Sequence, residues 1–413
     1  MSVRRPALIL LFFAAARIPL LIVRAPFFDE LFTKWISAKP FAGIVSALRW
    51  DSGPPLYYFA VHLLGDPSVA ATRVLSLICA AISVILLRRS ISAALLLAVL
   101  PPAILFAADA RAYAMCAMFV TIAVLAIDDD RPFIAAAALV LAAYSHYYGV
   151  LLFPILLLGR AGEPPAIQPA SRRRYGRRVI ALATALILYI PGFLLALRQP
   201  AEARAWMTTA WPDALFIRPP LLLAIIGAIV FALSVRINRY ALMVLVPLVL
   251  AIVLRVYVPM RFEAVIAAPI AMWLAESLKT NRFRVALTTA LVSICVIWTT
   301  LGILDHGSRP MDSYRQAATW IAAKVPANDT VVATGYCYLE TLMNGRARVT
   351  AFPPEQAIHP GWRALPKPGL HPPAGAFFWI GERNAPELAL ITRDRRIIQP
   401  LFVNDRALVA LVR

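Results

Sequence analysis

Four cysteines in 413 residues leave little room for thiol chemistry. Cys79, Cys116 and Cys295 lie inside apolar runs and Cys337 stands alone near the C-terminus, so neither a disulfide framework nor a metal-thiolate spacing exists. Acidic residues are also scarce, 22 against 41 Lys and Arg. The chain has no Gly-rich phosphate loop, no internal repeat and no low-complexity tract. A cleavable signal peptide is not expected, because Arg17 interrupts the first apolar run and no small-residue cleavage site follows it.

What fills the chain instead is apolar. Hydrophobic residues make up 61%, charged residues only 15%, and the mean hydropathy is +0.73, more than a soluble core of this size can bury. These values predict a polytopic α-helical membrane protein. The net charge of +19 could suggest nucleic acid, but a basic excess confined to short loops between apolar spans is the usual orientation signal of an inner-membrane protein. Nucleic acid is therefore not an expected partner.

Apolar stretches fall at approximately 6–23, 69–87, 91–107, 113–127, 132–145, 147–159, 179–197, 219–235, 240–257, 262–278 and 285–303. That is about eleven candidate spans, several shorter than the ~20 residues an upright helix needs to cross the hydrocarbon. Basic residues gather in alternate connections: Arg4 and Arg5, Arg88 and Arg89, the 160–178 loop, Arg236 and Arg239, then Lys279, Arg282 and Arg284. The positive-inside rule places these in the cytoplasm. "DDDR" at 128–131 falls on the same side and dissents, although acidic residues weigh little in that rule.

The opposite face then receives a first outer loop, 24–68, short turns near 108–112, 145–147 and 258–261, the 198–218 connection, and everything after about residue 304. The expected division is a transmembrane catalytic domain, 1–304, and an extracytoplasmic α/β domain, 305–413. In the latter, "MDSYRQAATWIAAKV" reads as an amphipathic helix with Asp312 or Ser313 as N-cap. "TVVATGY", "RVTAF", "GAFFWIG", "RRIIQPLFV" and "ALVALV" read as strands, and prolines between 353 and 373 mark a long loop. The segment "PPLYYFAVHLLG", 54–65, is too short to span and reads as a surface or re-entrant helix.

Once sides are assigned, ionisable and aromatic groups converge on the outer face. The first loop carries Asp29, Glu30, Lys34, Arg49, Asp51, Tyr57 and His62; "ADARAYA" carries Asp109, Arg111 and Tyr113; "YSHYYG" carries His146 and Tyr147; "VPMRFE" carries Arg261 and Glu263. Polar groups at span ends are expensive unless they line a wet cavity or bind something. Each also has a bland reading. Asp29 and Glu30 could cap an interfacial helix over "LFTKWISA", Arg111 could snorkel, His146 could be a packing residue, the tyrosines could form an interfacial belt, and Arg261 could pair with Glu263.

"FFDELFT", "DSGPPLYYFAVHLLG", "ADARAYAMCAMF", "YSHYYGVLLFPILLL" and "VPMRFEAVIAAPIAMWLA" occur in that order over residues 5–280. In this series the chain resembles bacterial GT-C glycosyltransferases of the protein O-mannosyltransferase and aminoarabinose transferase type. The resemblance implies an inverting transfer of a sugar from a polyprenyl-phosphate donor to a lipid, glycan or protein acceptor at the outer membrane face. It places the acidic pair, here Asp29 and Glu30, in the active site, with Asp29 as general base. Two positions depart from relatives. Gly53 stands where many have His before Pro-Pro-Leu-Tyr-Tyr, and Asp109 stands where Glu is frequent.

The chemistry asks for a carboxylate to take the acceptor's proton, cations for the leaving phosphate and aromatic walls for the sugar. Arg111 and Arg261 suit the phosphate because a guanidinium brackets its oxygens, and Tyr113 could donate a hydrogen bond. Asp109, Asp51, Tyr57, His146 and Tyr147 complete the expected substrate contacts. His62, His146 and the outer carboxylates could hold a divalent cation, but no HxxxH, HExxH or DxD spacing occurs among them, so no ligand set is assigned. A lipid or lipid-linked-sugar flippase is the competing reading. It would place charges near the bilayer midplane on broken helices of two related halves.

Overall fold

The computed structural model describes residues 4–24, 26–65, 68–158, 169–201, 220–307, 313–344, 348–360, 367, 369–393 and 398–413. The chain divides into two compact units, and the division is discontinuous in sequence. The larger comprises residues 1–23 and 52–308; the smaller comprises 24–51 and 309–413. Most of the first outer loop thus groups with the C-terminal part of the chain, not with the helices that flank it, which differs from the linear boundary the sequence suggests.

The larger unit is helical because its apolar runs have no polar face to alternate with, and a backbone away from water must satisfy its own hydrogen bonds. Its helices are α1 (Arg4–Val23), then α4 (Leu56–His62), α5 (Val69–Leu86), α6 (Ile91–Val99), α7 (Pro101–Ala107), α8 (Tyr113–Asp128) and α9 (Pro132–Ser145). A 3-10 stretch, Tyr147–Leu157, leads to α10 (Pro169–Arg198), α11 (Leu221–Ser234), α12 (Arg239–Val253), α13 (Arg261–Val265), α14 (Ala267–Lys279) and α15 (Arg284–Gly307). Among the described residues, three helices, Val69–Arg89, Arg172–Arg198 and Arg284–Leu301, are long and apolar enough to cross a membrane. Large apolar side chains face outward, Ile187 at 64% and Leu221 at 77% exposure, as a lipid-facing surface requires. The "PPLYYFAVHLLG" segment contains only the seven-residue α4.

The apolar run 91–107 is two helices rather than one, broken at Leu100 and Pro101. Pro101 and Pro102 lack N–H groups, so the carbonyls of Leu97 and Ala98 lose their helical donors. Arg17, 1% exposed, fills that gap: its Nη1 donates to Ala98 O at 2.7 Å and its Nη2 to Ala103 O at 3.2 Å. Its guanidinium also lies 4.1 Å from the Phe13 ring centroid. An arginine within an apolar span therefore has a local structural role, stapling α1 across the α6–α7 break. In the 3-10 stretch, Gly149 permits a close approach to α9, where an added Cβ would lie 2.5 Å from the Ala142 carbonyl carbon.

The acid triplet that dissents from the positive-inside pattern is explained by pairing. Arg239 Nη2 lies 2.6 Å from Asp128 Oδ1, Tyr240 donates to Asp128 Oδ2 at 2.7 Å, Arg178 reaches Asp130 at 3.3 Å and Arg89 reaches Asp129 at 3.5 Å. The turn between α8 and α9 thereby ties together the first half of α10, the start of α12 and the 3-10 turn after α5, and Asp130 takes a left-handed φ of 55° to make it.

The smaller unit contains α2 (Phe28–Ser37), α3 (Phe41–Leu48), α16 (Ser313–Lys324), β1 (Val331–Ala333), α17 (Tyr336–Met343), β2 (Val349–Ala351), β3 (Phe377–Glu382), α18 (Pro386–Arg393), β4 (Ile398–Val403) and β5 (Ala407–Val412). Its sheet has the order β2-β1-β3-β5-β4, parallel among the first three strands and antiparallel among the last three. Side chains alternate between two cores: Val331, Ala333, Ile380, Ala407 and Val409 face one, and Val332, Phe377, Trp379, Leu408 and Ala410 the other. All five expected strands form. The "TVVATGY" strand is shorter than its apolar run, because Gly335, at φ 53°, turns the chain into α17. Asp312 and the side chain of Ser313 lie outside the described residues, as does part of the proline-rich loop. Residues 24–51 join this unit through Phe28 edge-on to Tyr336 at 4.7 Å, Arg315 donating to Pro26 O at 3.4 Å, and Trp50 stacked on His359 at 5.9 Å.

Candidate active site

Five of the expected site residues gather at one end of the larger unit, each at a helix terminus. The turn after α7 carries Asp109 and Arg111, held by Arg111 N donating to Asp109 O at 2.8 Å. Tyr113 starts α8, His146 follows α9 and Arg261 starts α13. Helix ends are where such groups belong, since unsatisfied backbone dipoles and access to water coincide there.

Arg261 Nη1 donates to the Tyr113 hydroxyl at 3.3 Å. The Tyr113 ring lies 4.8 Å from His146, and His146 lies 4.6 Å from Tyr148, whose hydroxyl donates to Val256 O at 2.9 Å. Arg111 Nη1 reaches the Tyr58 hydroxyl at 3.5 Å. The turn that presents Arg261 is strained, with Met260 buried and at φ 66°, a region a long side chain occupies only when its surroundings impose it.

The electrostatics of this cluster turn on His146. Its Nδ1 accepts from Tyr148 N at 3.2 Å, which leaves the ring proton on Nε2. Burial, then the Arg111 and Arg261 guanidinium groups, push its pKa down to about 3. The imidazole is therefore neutral across the physiological range and offers a donor at Nε2, while two arginines supply the positive charge. Glu263, which the sequence offered as an ion-pair partner for Arg261, instead accepts through Oε1 from the Tyr257 hydroxyl at 2.5 Å.

Other expected residues take supporting places. Tyr57, 1% exposed, bonds through its hydroxyl to Ser76 Oγ at 2.9 Å, and Ser76 Oγ donates to Arg111 O at 3.3 Å, so Tyr57 braces the Arg111 turn. The Tyr147 hydroxyl lies 2.9 Å from Gln199 Oε1 and 3.3 Å from Gly53 O, while Gln199 Nε2 donates to Gly53 O at 2.9 Å. Gly53 leaves room for Tyr58: an added Cβ would sit 3.1 Å from the Tyr58 hydroxyl. Asp109 is buried at 3% exposure.

Asp29, Glu30 and Asp51 belong to the smaller unit. Asp29 and Glu30 lie in the first turn of α2, but their surroundings differ. Glu30 is fully buried and its Oε2 accepts from Phe27 N at 3.2 Å, capping the helix start. Asp29 is only partly buried, and its carbonyl accepts from Thr33 Oγ1 at 3.0 Å. The capping reading thus holds for Glu30, and Asp29 is the acid left on a more accessible face, as adjacent residues on a helix must diverge.

Sequence reasoning assigned no role to Arg17, Tyr58, Tyr148 or Gln199 in this constellation. Tyr58 and Tyr148 stand inside the family-like motifs, where a belt role looks equally good from composition. Arg17 and Gln199 gave no signal, because their partners are carbonyls distant in sequence. Among the described residues no group of three or more His, Cys, Asp and Glu side chains is placed to hold a metal ion.

No protein-family model matches the chain, and no curated protein matches its sequence. Solved structures do. ArnT from Cupriavidus metallidurans bound to undecaprenyl phosphate superposes with a TM-score of 0.56 at 14% identity, covering 98% of each chain. The apo form of the same protein gives 0.56 at 13% identity with the same coverage. Over nearly its whole length, the chain has the fold of ArnT, a GT-C glycosyltransferase, as the resemblance of its motifs implied.

Proposed function

We propose that this chain is a membrane glycosyltransferase that takes a sugar from a polyprenyl-phosphate carrier. The observation that carries the reading is the gathering of Arg111, Tyr113, His146 and Arg261 at one end of one unit, with the imidazole neutral and the arginines positive. Its support from outside the chain is the shared fold with a protein crystallised with undecaprenyl phosphate.

In the proposed reaction Asp29 takes the acceptor's hydroxyl proton as its oxygen attacks the anomeric carbon, and the bond from that carbon to the phosphate oxygen breaks. The attacking oxygen enters opposite the leaving group, so the anomeric configuration inverts. The electron pair goes to the phosphate. Arg111 and Arg261 stabilise the negative charge gained there, which preorganised cations do more strongly in the transition state than in the ground state. The Tyr113 hydroxyl and His146 Nε2–H are the neutral donors for the phosphate or the sugar. Asp109, Asp51, Tyr57 and Tyr147 are assigned to positioning or substrate contact. Glu30 holds the start of the helix that carries Asp29. The smaller unit is assigned to acceptor recognition, the acceptor being a lipid, glycan or protein. By the positive-inside rule, with about eleven spans, the chain lies in the inner membrane with that unit outside.

The test is transfer by purified protein in liposomes offered radiolabelled polyprenyl-phosphate sugars. Release of free polyprenyl phosphate, lost in Asp29→Asn, is the expected result. Donor translocation between leaflets with no release would move the assignment to a flippase.

A further inference from the structure

At the end of the larger unit opposite the arginine–histidine cluster, a cavity of about 290 Å³ opens between the start of α6, the end of α14 and the start of α15. Its polar wall is Ser92, Lys279, Arg284, Thr288 and Thr289; Leu278 and Val285 line the rest. We infer that this cavity is a binding site for the phosphodiester headgroup of an anionic glycerophospholipid.

Three features define the ligand chemistry. The first is charge. Lys279 is paired with Glu276 at 2.5 Å, which offsets one cation, but the Arg284 guanidinium has no protein partner among the described residues, and Arg282 stands two residues away. The second is donor supply. Phosphate oxygens only accept, and Arg284, Lys279 and the Ser92 and Thr289 hydroxyls are donors; the Thr288 hydroxyl already donates to Arg284 O at 2.7 Å. The dipole of α15, a 24-residue helix starting at Arg284, adds partial positive charge on the same side. The third is the apolar rim. Val285, on the cavity wall, is 73% exposed, Phe283 in the turn before α15 is 55% exposed, and Val296 and Ile297 farther along α15 also face outward, so the cavity opens where acyl chains would lie. A free phosphate would use the donors and leave that rim bare. The end of the bundle is the one that carries Arg88, Arg89, Arg178 and Arg239, so the positive-inside rule assigns it to the cytoplasmic leaflet.

The experiment is native mass spectrometry of the full chain released from mixed phosphatidylcholine and phosphatidylglycerol nanodiscs. Wild type retains one phosphatidylglycerol in preference to phosphatidylcholine. Lys279→Gln with Arg284→Gln binds it about 30-fold more weakly, from roughly 1 kcal/mol per cation near the surface. Arg284→Gln alone, an exposed change that leaves folding intact, gives about a fivefold loss on the same basis. Unchanged retention in both variants overturns the site. So does displacement of the lipid by millimolar inorganic phosphate, which would make the ligand a free anion. Preferential retention of added undecaprenyl phosphate over phosphatidylglycerol overturns the glycerophospholipid assignment and gives the cavity to the carrier lipid. None of these outcomes depends on whether the protein transfers a sugar.

Discussion

Neutralising the two adjacent acids of α2 one at a time separates catalysis from capping. Asp29 is partly buried and sits in the first helical turn, where its charge interacts with the helix dipole by only ~0.3–1 kcal/mol, so Asp29→Asn stays folded. If Asp29 is the base, the same change removes the proton acceptor and lowers turnover by about 10²–10⁴-fold. Glu30 has the opposite profile. It is fully buried and accepts from Phe27 N at 3.2 Å, so Glu30→Gln replaces a charge-assisted bond by a neutral one and destabilises the smaller unit by ~1 kcal/mol. Its turnover, measured at a temperature where the fold is intact, falls by less than about tenfold, the share of a positioning group rather than a base. The assay is release of polyprenyl phosphate from a labelled donor in liposomes, run beside thermal unfolding of each variant. Asp29→Asn retaining transfer within roughly threefold of wild type would refute the base assignment, since a positioned base contributes far more than that. Equal losses of activity and stability in both variants would show that the pair acts only through the fold.

Three further outcomes follow from the larger unit. Arg111→Ala removes one arginine–phosphate interaction worth about 1.5–3 kcal/mol, so donor affinity drops ~10–150-fold while acceptor affinity holds; equal loss of both would count against a phosphate role. His146 has a pKa near 3 in the fold against about 6.5 in the unfolded chain, so below pH 6.5 the unfolded state gains a proton that the fold refuses. Stability therefore falls with pH between about 6.5 and 3, by ~2 kcal/mol at pH 5, and this slope is missing in His146→Gln; parallel melting curves of the two proteins at pH 5 and 7.5 check it. Arg17→Ala leaves the Ala98 and Ala103 carbonyls without its donors, at ~1–3 kcal/mol each, and a variant as thermostable as wild type in detergent would refute the staple.

The apolar segments were legible because hydrophobicity and period are local properties. Apart from the splits of 262–278, at Ile266, and of 91–107, each apolar stretch lies on the expected helix or 3-10 stretch, and the strand segments of the C-terminal part form β1 to β5. Even the split of 91–107 was written in the sequence, as Pro101 and Pro102, whose missing N–H groups end a helix whatever surrounds it. Site residues were legible as types at span ends: Arg111, Tyr113, His146 and Arg261 were named from motifs, and the fold brings them together.

What only the tertiary structure decided concerns partners far apart in the chain. Nothing local says that residues 24–51 fold with residues 309–413, because Phe28 meets Tyr336 and Pro26 meets Arg315 only after the chain has crossed the intervening helices. Nor does "DDDR" reveal Arg239, Arg178 and Arg89 as its partners, or Arg17 the carbonyls it satisfies. The charge state of His146 belongs to the same class, since burial and two arginines from other helix ends set it. Sequence by itself determined which segments leave water and where polar groups gather along them. The pairing of those groups depends on long-range packing, which no window along the chain contains.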